Sequence, residues 1–222
     1  MNIIHVLLII ILSYALGSIS TAVWAGKIFH KTDVREHGSG NAGATNTIRI
    51  LGWATGIPVL LIDLAKGWLA ASLPLILNFG EYGMAEQVNL QILGGLIAII
   101  GHVFPIFAGF KGGKGVATTF GVLLSLHPAL TLSCMAVFLI VLLISGYVSI
   151  SSISAGLSFP VLLQVFFESP SKLFNIFAML IAMALIITHK QNISRLIKGE
   201  ENRFIWKNRG RRRKADVKDE EG

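Results

Sequence analysis

Apolar residues in this chain fall in long unbroken blocks, at about 3–26, 54–77, 90–108, 116–126, 129–147, 149–167 and 173–188. Blocks near 20 residues predict helices that can cross a bilayer at about 1.5 Å per residue. No stretch keeps the period-two alternation of a half-buried strand. The pattern therefore predicts an all-α integral membrane protein. The stretch 116–147 decides the number of segments. As one span it gives six helices and puts the basic C-terminal region outside. Broken at His127-Pro128 it gives seven, because proline removes a backbone donor and disfavours helix in the residue before it. The first piece, 116–126, is then short, about 16 Å.

Charge orients the segments. Lys27, Lys31, Arg35 and Arg49 lie in 27–49, whereas the 78–89 connection has Glu81 and Glu86 and no Lys or Arg. Short loops rich in Lys and Arg stay in the cytoplasm. The Lys111/Lys114 loop returns inside, and so does the C-terminal region. Residues 189–222 hold 11 of the 19 Lys and Arg but six of the 12 Asp and Glu. We therefore expect seven transmembrane segments, the N-terminus outside and the C-terminus cytoplasmic. Residues 1–204 form one polytopic domain and 205–222 a basic, disordered cytoplasmic tail. The first apolar block lacks a basic n-region and a small-x-small cleavage site, so it reads as a retained helix.

Composition agrees. Hydrophobic residues make up 53% of the 222, charged residues only 14%, and the mean hydropathy is +0.69. These values exclude an ordinary soluble domain. A basic tail after an apolar block points to anionic lipid headgroups rather than nucleic acid. The single cysteine, Cys134, forms no internal disulfide and reads as a small core or lipid-facing residue.

Against this apolar background two polar, glycine-rich islands stand out. The first is Gly38-Ser39-Gly40-Asn41-Ala42-Gly43-Ala44-Thr45-Asn46, followed by Arg49; the second is Gly109-Phe110-Lys111-Gly112-Gly113-Lys114-Gly115. Irregular backbone at membrane depth must be buried in protein or line a water-filled cavity. Gly38-x-Gly40-x-x-Gly43 matches a dinucleotide fingerprint as a string, but that reading needs a strand before it and a βαβ unit around it. The second island resembles a phosphate-binding P-loop, yet it is one residue short and ends in Gly115 where a Mg²⁺-binding hydroxyl is needed. Neither string implies a nucleotide. What survives is anion chemistry. A helix expected to start after Gly43 offers free N–H groups to an anion, with Arg49 one turn in. Successive glycine N–H groups beside Lys114 form a cationic cradle.

Further polar residues join the same expected face. Asp63 and Lys66 sit one turn apart inside the second block, either as a structural pair or as a functional one. His189 and Asn192 share a helix face after the last block, and His102 lies near the Lys loop. Ser149, Ser151 and Ser152 follow Tyr147-Val148, where helix capping is the simple explanation. No group of His, Cys, Asp and Glu has metal-ligand spacing, so neither a metal nor a cofactor is expected. No His-x-x-x-x-Asp occurs, which removes the general-base motif of the common acyl-CoA-dependent glycerolipid acyltransferases.

Taken in order, these residues resemble the bacterial acyl-phosphate:glycerol-3-phosphate acyltransferase family (PlsY). The resemblance is carried by Arg35 to Asn46, Gly101-His102-Val103-Phe104-Pro105, Phe110 to Thr118, Tyr147-Val148-Ser149 and His189-Lys190-Gln191-Asn192-Ile193. It runs from about Leu16 to Phe204. It implies seven helices in the bacterial cytoplasmic (inner) membrane, with the site facing the cytoplasm. It implies transfer of a fatty acyl group from acyl phosphate to the sn-1 hydroxyl of glycerol 3-phosphate, giving 1-acylglycerol 3-phosphate (lysophosphatidate) and phosphate. By this resemblance Ser39, Arg49, Lys114, His189 and Asn192 are catalytic. Gly38, Gly40, Asn41, Gly43, Thr45, Asn46, Gly112, Gly113, Gly115 and Ser149 bind substrate phosphate. Membrane lipid and the acyl-phosphate-producing enzyme are the implied partners. The chain departs from the family pattern at Gly146, where a basic residue is usual, and at Thr188, Lys190 and Gln191. The rival from another class is a membrane transporter for a phosphorylated solute. Such a protein shares the glycine-plus-cation logic but predicts inverted repeats, and none is evident here.

Overall fold

A computed structural model describes residues 2–78 and 82–204. The predicted tail, 205–222, and Glu81 of the acidic connection lie outside the described residues. Ten α-helices and two single 3₁₀ turns make up the described residues, with no strand among them.

The first apolar block is two helices, α1 (Ile3–Gly17) and α2 (Thr21–His30), rather than one. The break at 18–20 exposes the Ile19 carbonyl, which accepts a hydrogen bond from Lys66 Nζ at 2.7 Å. Lys66 sits in α4 (Trp53–Ile76) and pairs with Asp63 at 2.8 Å, both side chains nearly fully buried. Thr21, first residue of α2, donates to the same Asp63 oxygen at 3.2 Å. A charged pair away from water is tolerated only when its remaining donors and acceptors are met, and the interrupted helix meets them. Hydropathy does not register such a break, because Ser18, Ile19 and Ser20 are compatible with a continuous helix.

α3 (Ala44–Leu51) is a short helix after the first glycine island, and α5 spans Met84–Val103. The expected interruption at His127-Pro128 separates α6 (Val116–Leu126) from α7 (Pro128–Ser145). Pro128 takes the first helical position, where no donor is needed, and His127 Nδ1 caps the turn by accepting from Leu130 N at 3.3 Å. α8 (Val148–Phe166) and α9 (Lys172–Thr188) follow, and α10 (Lys190–Ile197) leaves α9 at a bend of 55°.

Among the described residues, five helical stretches can cross a membrane by length and composition, or six if α9 and α10 together form one bent span. α6, at 11 residues, is shorter than a bilayer crossing. It lies backbone to backbone against α4: a Cβ at Gly121 would come within 2.0 Å of the Leu64 carbonyl, and one at Gly67 within 2.1 Å of the Thr118 carbonyl. The main core joins Val122 and Leu123 of α6 to Leu130 and Cys134 of α7, Phe159 and Leu163 of α8, and Phe174, Phe177 and Ile181 of α9. The outer surface is the apolar one. Ile11, Leu143, Ile144 and Ile187 are each more than 60% exposed, while Asn46, Thr118 and Ser151 are almost completely hidden. That inversion belongs to a multi-pass membrane protein, whose lipid-facing side needs no polar cover.

Candidate functional site

One cavity of about 480 Å³ collects residues from both glycine islands and from the three C-terminal helices. Its polar end is lined by Ser39, Asn41, Thr45, Arg49, Lys114, Ser149, His189 and Asn192. Its apolar flank runs between α4, α7 and α8 past Leu60, Leu61, Phe138, Leu139 and Phe159. Leu60, Leu61 and Leu139 also belong to the lipid-facing surface, so the apolar flank opens sideways between α4 and α7. A second cavity, about 430 Å³, shares Ser39, Asn41, Lys114 and Arg195 with the first and adds Lys111 and Lys190.

Five helices, α3, α4, α6, α8 and α10, begin at the main cavity. None of the five has a side-chain cap; of the helices that begin elsewhere, α1, α7 and α9 are capped by Asn2, His127 and Ser171, and α2 and α5 are uncapped. An uncapped N-terminus turns free N–H groups and the positive end of the helix dipole outward. Five of them around one cavity, with Arg49 and Lys114, make its polar end electropositive.

The first island is organised by Asn46. Its amide donates to the carbonyls of Val34 (2.9 Å), His37 (3.1 Å) and Asn41 (3.1 Å). Its oxygen accepts from Ser39 N at 2.9 Å and from Arg49 Nη1 at 3.3 Å. Asn46 therefore shapes the loop and aims Ser39 and Arg49, which differs from the expected phosphate ligand. Gly38 has φ +61° and sits so close that a Cβ would meet Asn46 Oδ1 at 2.4 Å. Arg35 ties this loop to the other. It pairs with Asp33 at 2.7 Å and donates to the Ala108 and Lys111 carbonyls at 2.7 and 3.0 Å. The hydrogen bond from Arg35 holds the Asp33 carboxyl well below its ordinary range.

The second island differs from the expected cradle of glycine N–H groups. Gly112 N donates to the Val103 carbonyl at 3.1 Å and Gly113 N to the His102 carbonyl at 3.2 Å. Both amides thus cap the C-terminus of α5, whose last carbonyls would otherwise lack donors. The glycines are required by contact: a Cβ at Gly112 would lie 1.9 Å from the His102 carbonyl oxygen, and one at Gly113 would lie 2.3 Å from His102 Nε2. Gly115, at φ +80°, turns the chain into α6. Gly40, Gly112 and Gly113 line the second cavity, and Gly38 and Gly115 line neither.

Lys114 crosses to the last helix and donates to Asn192 Oδ1. Burial lowers its pKa to about 8; the nearby Glu201 charge opposes the shift, while Arg195 and Arg49 add to it. His189 Nδ1 is 2.8 Å from the Leu185 carbonyl. A carbonyl only accepts, so this nitrogen carries the proton, and Nε2 of the neutral ring is left as an acceptor. Asp63 and His102 also line the cavity, 3.7 Å apart.

Two residues of the site escaped the sequence reading. Glu201 accepts from Ser149 Oγ (2.9 Å), Asn192 Nδ2 (2.6 Å) and Arg195 Nε (3.0 Å). Burial alone would raise its pKa, but the hydrogen bonds from Asn192, Ser149 and Arg195 outweigh it and hold the carboxyl below its ordinary value. Arg195 was accessible in principle, being three residues beyond Asn192 on the same face of a short helix. Glu201 carries no local signal; the chain brings it back through Gly199, at φ +71°.

Fold and site define a multi-pass membrane protein whose main cavity carries cations and helix N-termini beside apolar walls. A sequence profile of the family described as glycerol-3-phosphate acyltransferase matches residues 7–199. The glycerol-3-phosphate acyltransferases of Chlorobium luteolum and Chlorobaculum tepidum are each 41% identical to the chain, covering 90% of it and 97% of the relative. Crystal structures of PlsY, an integral membrane glycerol 3-phosphate acyltransferase, superpose with TM-scores of 0.79 for the glycerol 3-phosphate form and 0.74 for the lysophosphatidic acid form. The identities are 36% and 35%, with 90% and 89% of this chain covered and 96% and 94% of the other. The chain belongs to the PlsY family of integral membrane glycerol-3-phosphate acyltransferases.

Proposed function

We propose that the protein transfers a fatty acyl group from acyl phosphate to the sn-1 hydroxyl of glycerol 3-phosphate, in a bacterial cytoplasmic membrane with the site facing the cytoplasm. The observation that carries this reading is a single cavity with cations and helix N-termini at one end and a laterally open apolar groove at the other. An acyl phosphate is a mixed anhydride, already activated, and it has the same two-ended character. The hydroxyl oxygen attacks the acyl carbon, the bond from that carbon to the bridging oxygen breaks, and phosphate departs. The hydroxyl proton leaves with the departing phosphate. His189 Nε2 accepts from the hydroxyl and orients it.

Arg49, Lys114 and the uncapped helix ends reduce the repulsion between two anionic substrates and stabilise the charge that develops on the phosphate. Ser39, presented by Asn46, contacts glycerol 3-phosphate. Lys and Arg in the 27–49 and 109–115 connections support the cytoplasmic orientation, which also makes the site accessible to the enzyme that forms acyl phosphate.

The test is direct. Purified protein is mixed with acyl phosphate, and phosphate release is followed with and without glycerol 3-phosphate. Release that requires the second substrate is expected; folded protein that releases none rejects the reading.

A further inference from the structure

The carboxylate of Glu201 holds donors that a substrate phosphate needs. Ser149 has one O–H, and it points to Glu201 Oε1 at 2.9 Å. The Asn192 amide gives one of its hydrogens to the same oxygen at 2.6 Å, and Arg195 Nε binds Oε2 at 3.0 Å. A serine whose only proton is engaged can accept but cannot donate. Three donors of two helices thus converge on an anion, and the anion is part of the chain.

Glu201 belongs to a short segment, 200–204, that crosses the cavity, and Glu201, Asn202 and Phe204 line it. Glu200 N donates to the Arg195 carbonyl at 2.8 Å, and the Arg203 guanidinium lies over the Tyr147 ring at 5.4 Å. Phe204 N donates to the Gly146 carbonyl at 2.8 Å, Arg203 Nε donates to the Tyr147 hydroxyl at 3.2 Å, and the Phe204 ring meets Trp53 edge-on at 5.7 Å. The segment leaves α10 through Gly199, whose positive φ is open to glycine at no steric cost.

We propose that Glu201 is an internal anion that a substrate phosphate displaces, taking over Ser149, Asn192 and Arg195, and that segment 200–204 moves off the cavity as it does so. This rests on the acyl-transfer reading above, and it adds to that reading a competitor carried by the enzyme. Carboxylate and phosphate exclude one another for two reasons. They need the same hydrogens, and like charges held close together in a partly buried site repel. The segment therefore acts as a strap that screens the cationic site from other anions until one with enough charge and enough oxygens arrives.

The experiment uses the full chain in lipid nanodiscs and inorganic phosphate as the probe. Removing the charge in Glu201→Gln is expected to tighten phosphate binding about tenfold. Phe204→Ala keeps the carboxylate but loosens the strap at Trp53, and is expected to tighten binding about two- to threefold. In the unaltered protein, saturating phosphate should speed amide exchange across 200–204, including the amide bonded to Gly146. Glu201→Gln that binds phosphate no better, or more weakly, overturns the displacement, as does slower exchange across the segment. If turnover persists while displacement fails, acyl transfer stands alone. If the unaltered protein neither binds phosphate nor turns over, both readings fall.

Discussion

The two glycine islands look alike as strings and are built in opposite ways. In the first, one side chain gathers the loop: Asn46 bonds three carbonyls and one backbone amide and holds Arg49. In the second, the absence of side chains does the work, because Gly112 and Gly113 press their backbone against the end of α5. The first loop can therefore be undone by removing atoms and the second by adding them. In both, most of the glycines serve the shape of the loop, and on the proposed reaction the anion chemistry falls to Ser39, Arg49, Lys114 and the helix ends.

That contrast orders the expected losses. The largest is at Gly112→Ala. Its Cβ would meet a backbone oxygen at 1.9 Å, which cannot turn aside as a side chain can. We expect activity to fall about a hundredfold or more, with a Tm lower by several degrees, since 2 kcal/mol or so of strain is typical of overpacking. Steady-state rates and thermal melts on the same preparation check it. Next comes Asn46→Ala, which leaves three carbonyls without their donor. A drop in kcat/KM of about ten- to a hundredfold is expected, matching roughly 1–3 kcal/mol per unmet buried group. The loss should fall mainly on glycerol 3-phosphate.

The third effect concerns charge rather than shape. The Lys114 ammonium is charged below about pH 8 and neutral above it. If it must be charged, activity falls as pH rises through about 8. Lys114→Arg, which stays charged, should lose the alkaline fall even at a lower maximum rate. A pH–rate profile of both proteins decides this. The smallest effect is at Gly40→Ala. Its φ is +73° but a Cβ would have space, with the Arg35 carbonyl at 3.4 Å. Only the backbone preference is lost, about 1 kcal/mol, and activity should stay within about fivefold. A loss as large as that of Gly112→Ala would show that Gly40 meets the substrate.

How much was legible in the sequence follows the same division. Long apolar blocks were legible because burial in lipid needs length and hydropathy alone, so α4, α8 and α9 lie within a residue or two of their expected bounds. The His127-Pro128 interruption was legible because proline acts locally. The break after Gly17 was not, since its cause is Lys66, 47 residues away. The expected site residues came from the family resemblance, and ten of the fifteen line the main cavity. The roles of Gly112, Gly113 and Asn46 were not legible, because they depend on partners that spacing does not reveal. Glu201 was invisible for a different reason: an anion site is expected to lack carboxylates.

The sideways opening between α4 and α7 has a kinetic consequence. On the proposed reaction one reactant is dissolved in water and counted per litre, while the other is dissolved in the bilayer and counted per unit of membrane area. Added inert lipid dilutes the second without touching the first. The enzyme's rate is therefore a property of the membrane it sits in as much as of the cytosol beside it, and saturation in one phase says nothing about saturation in the other.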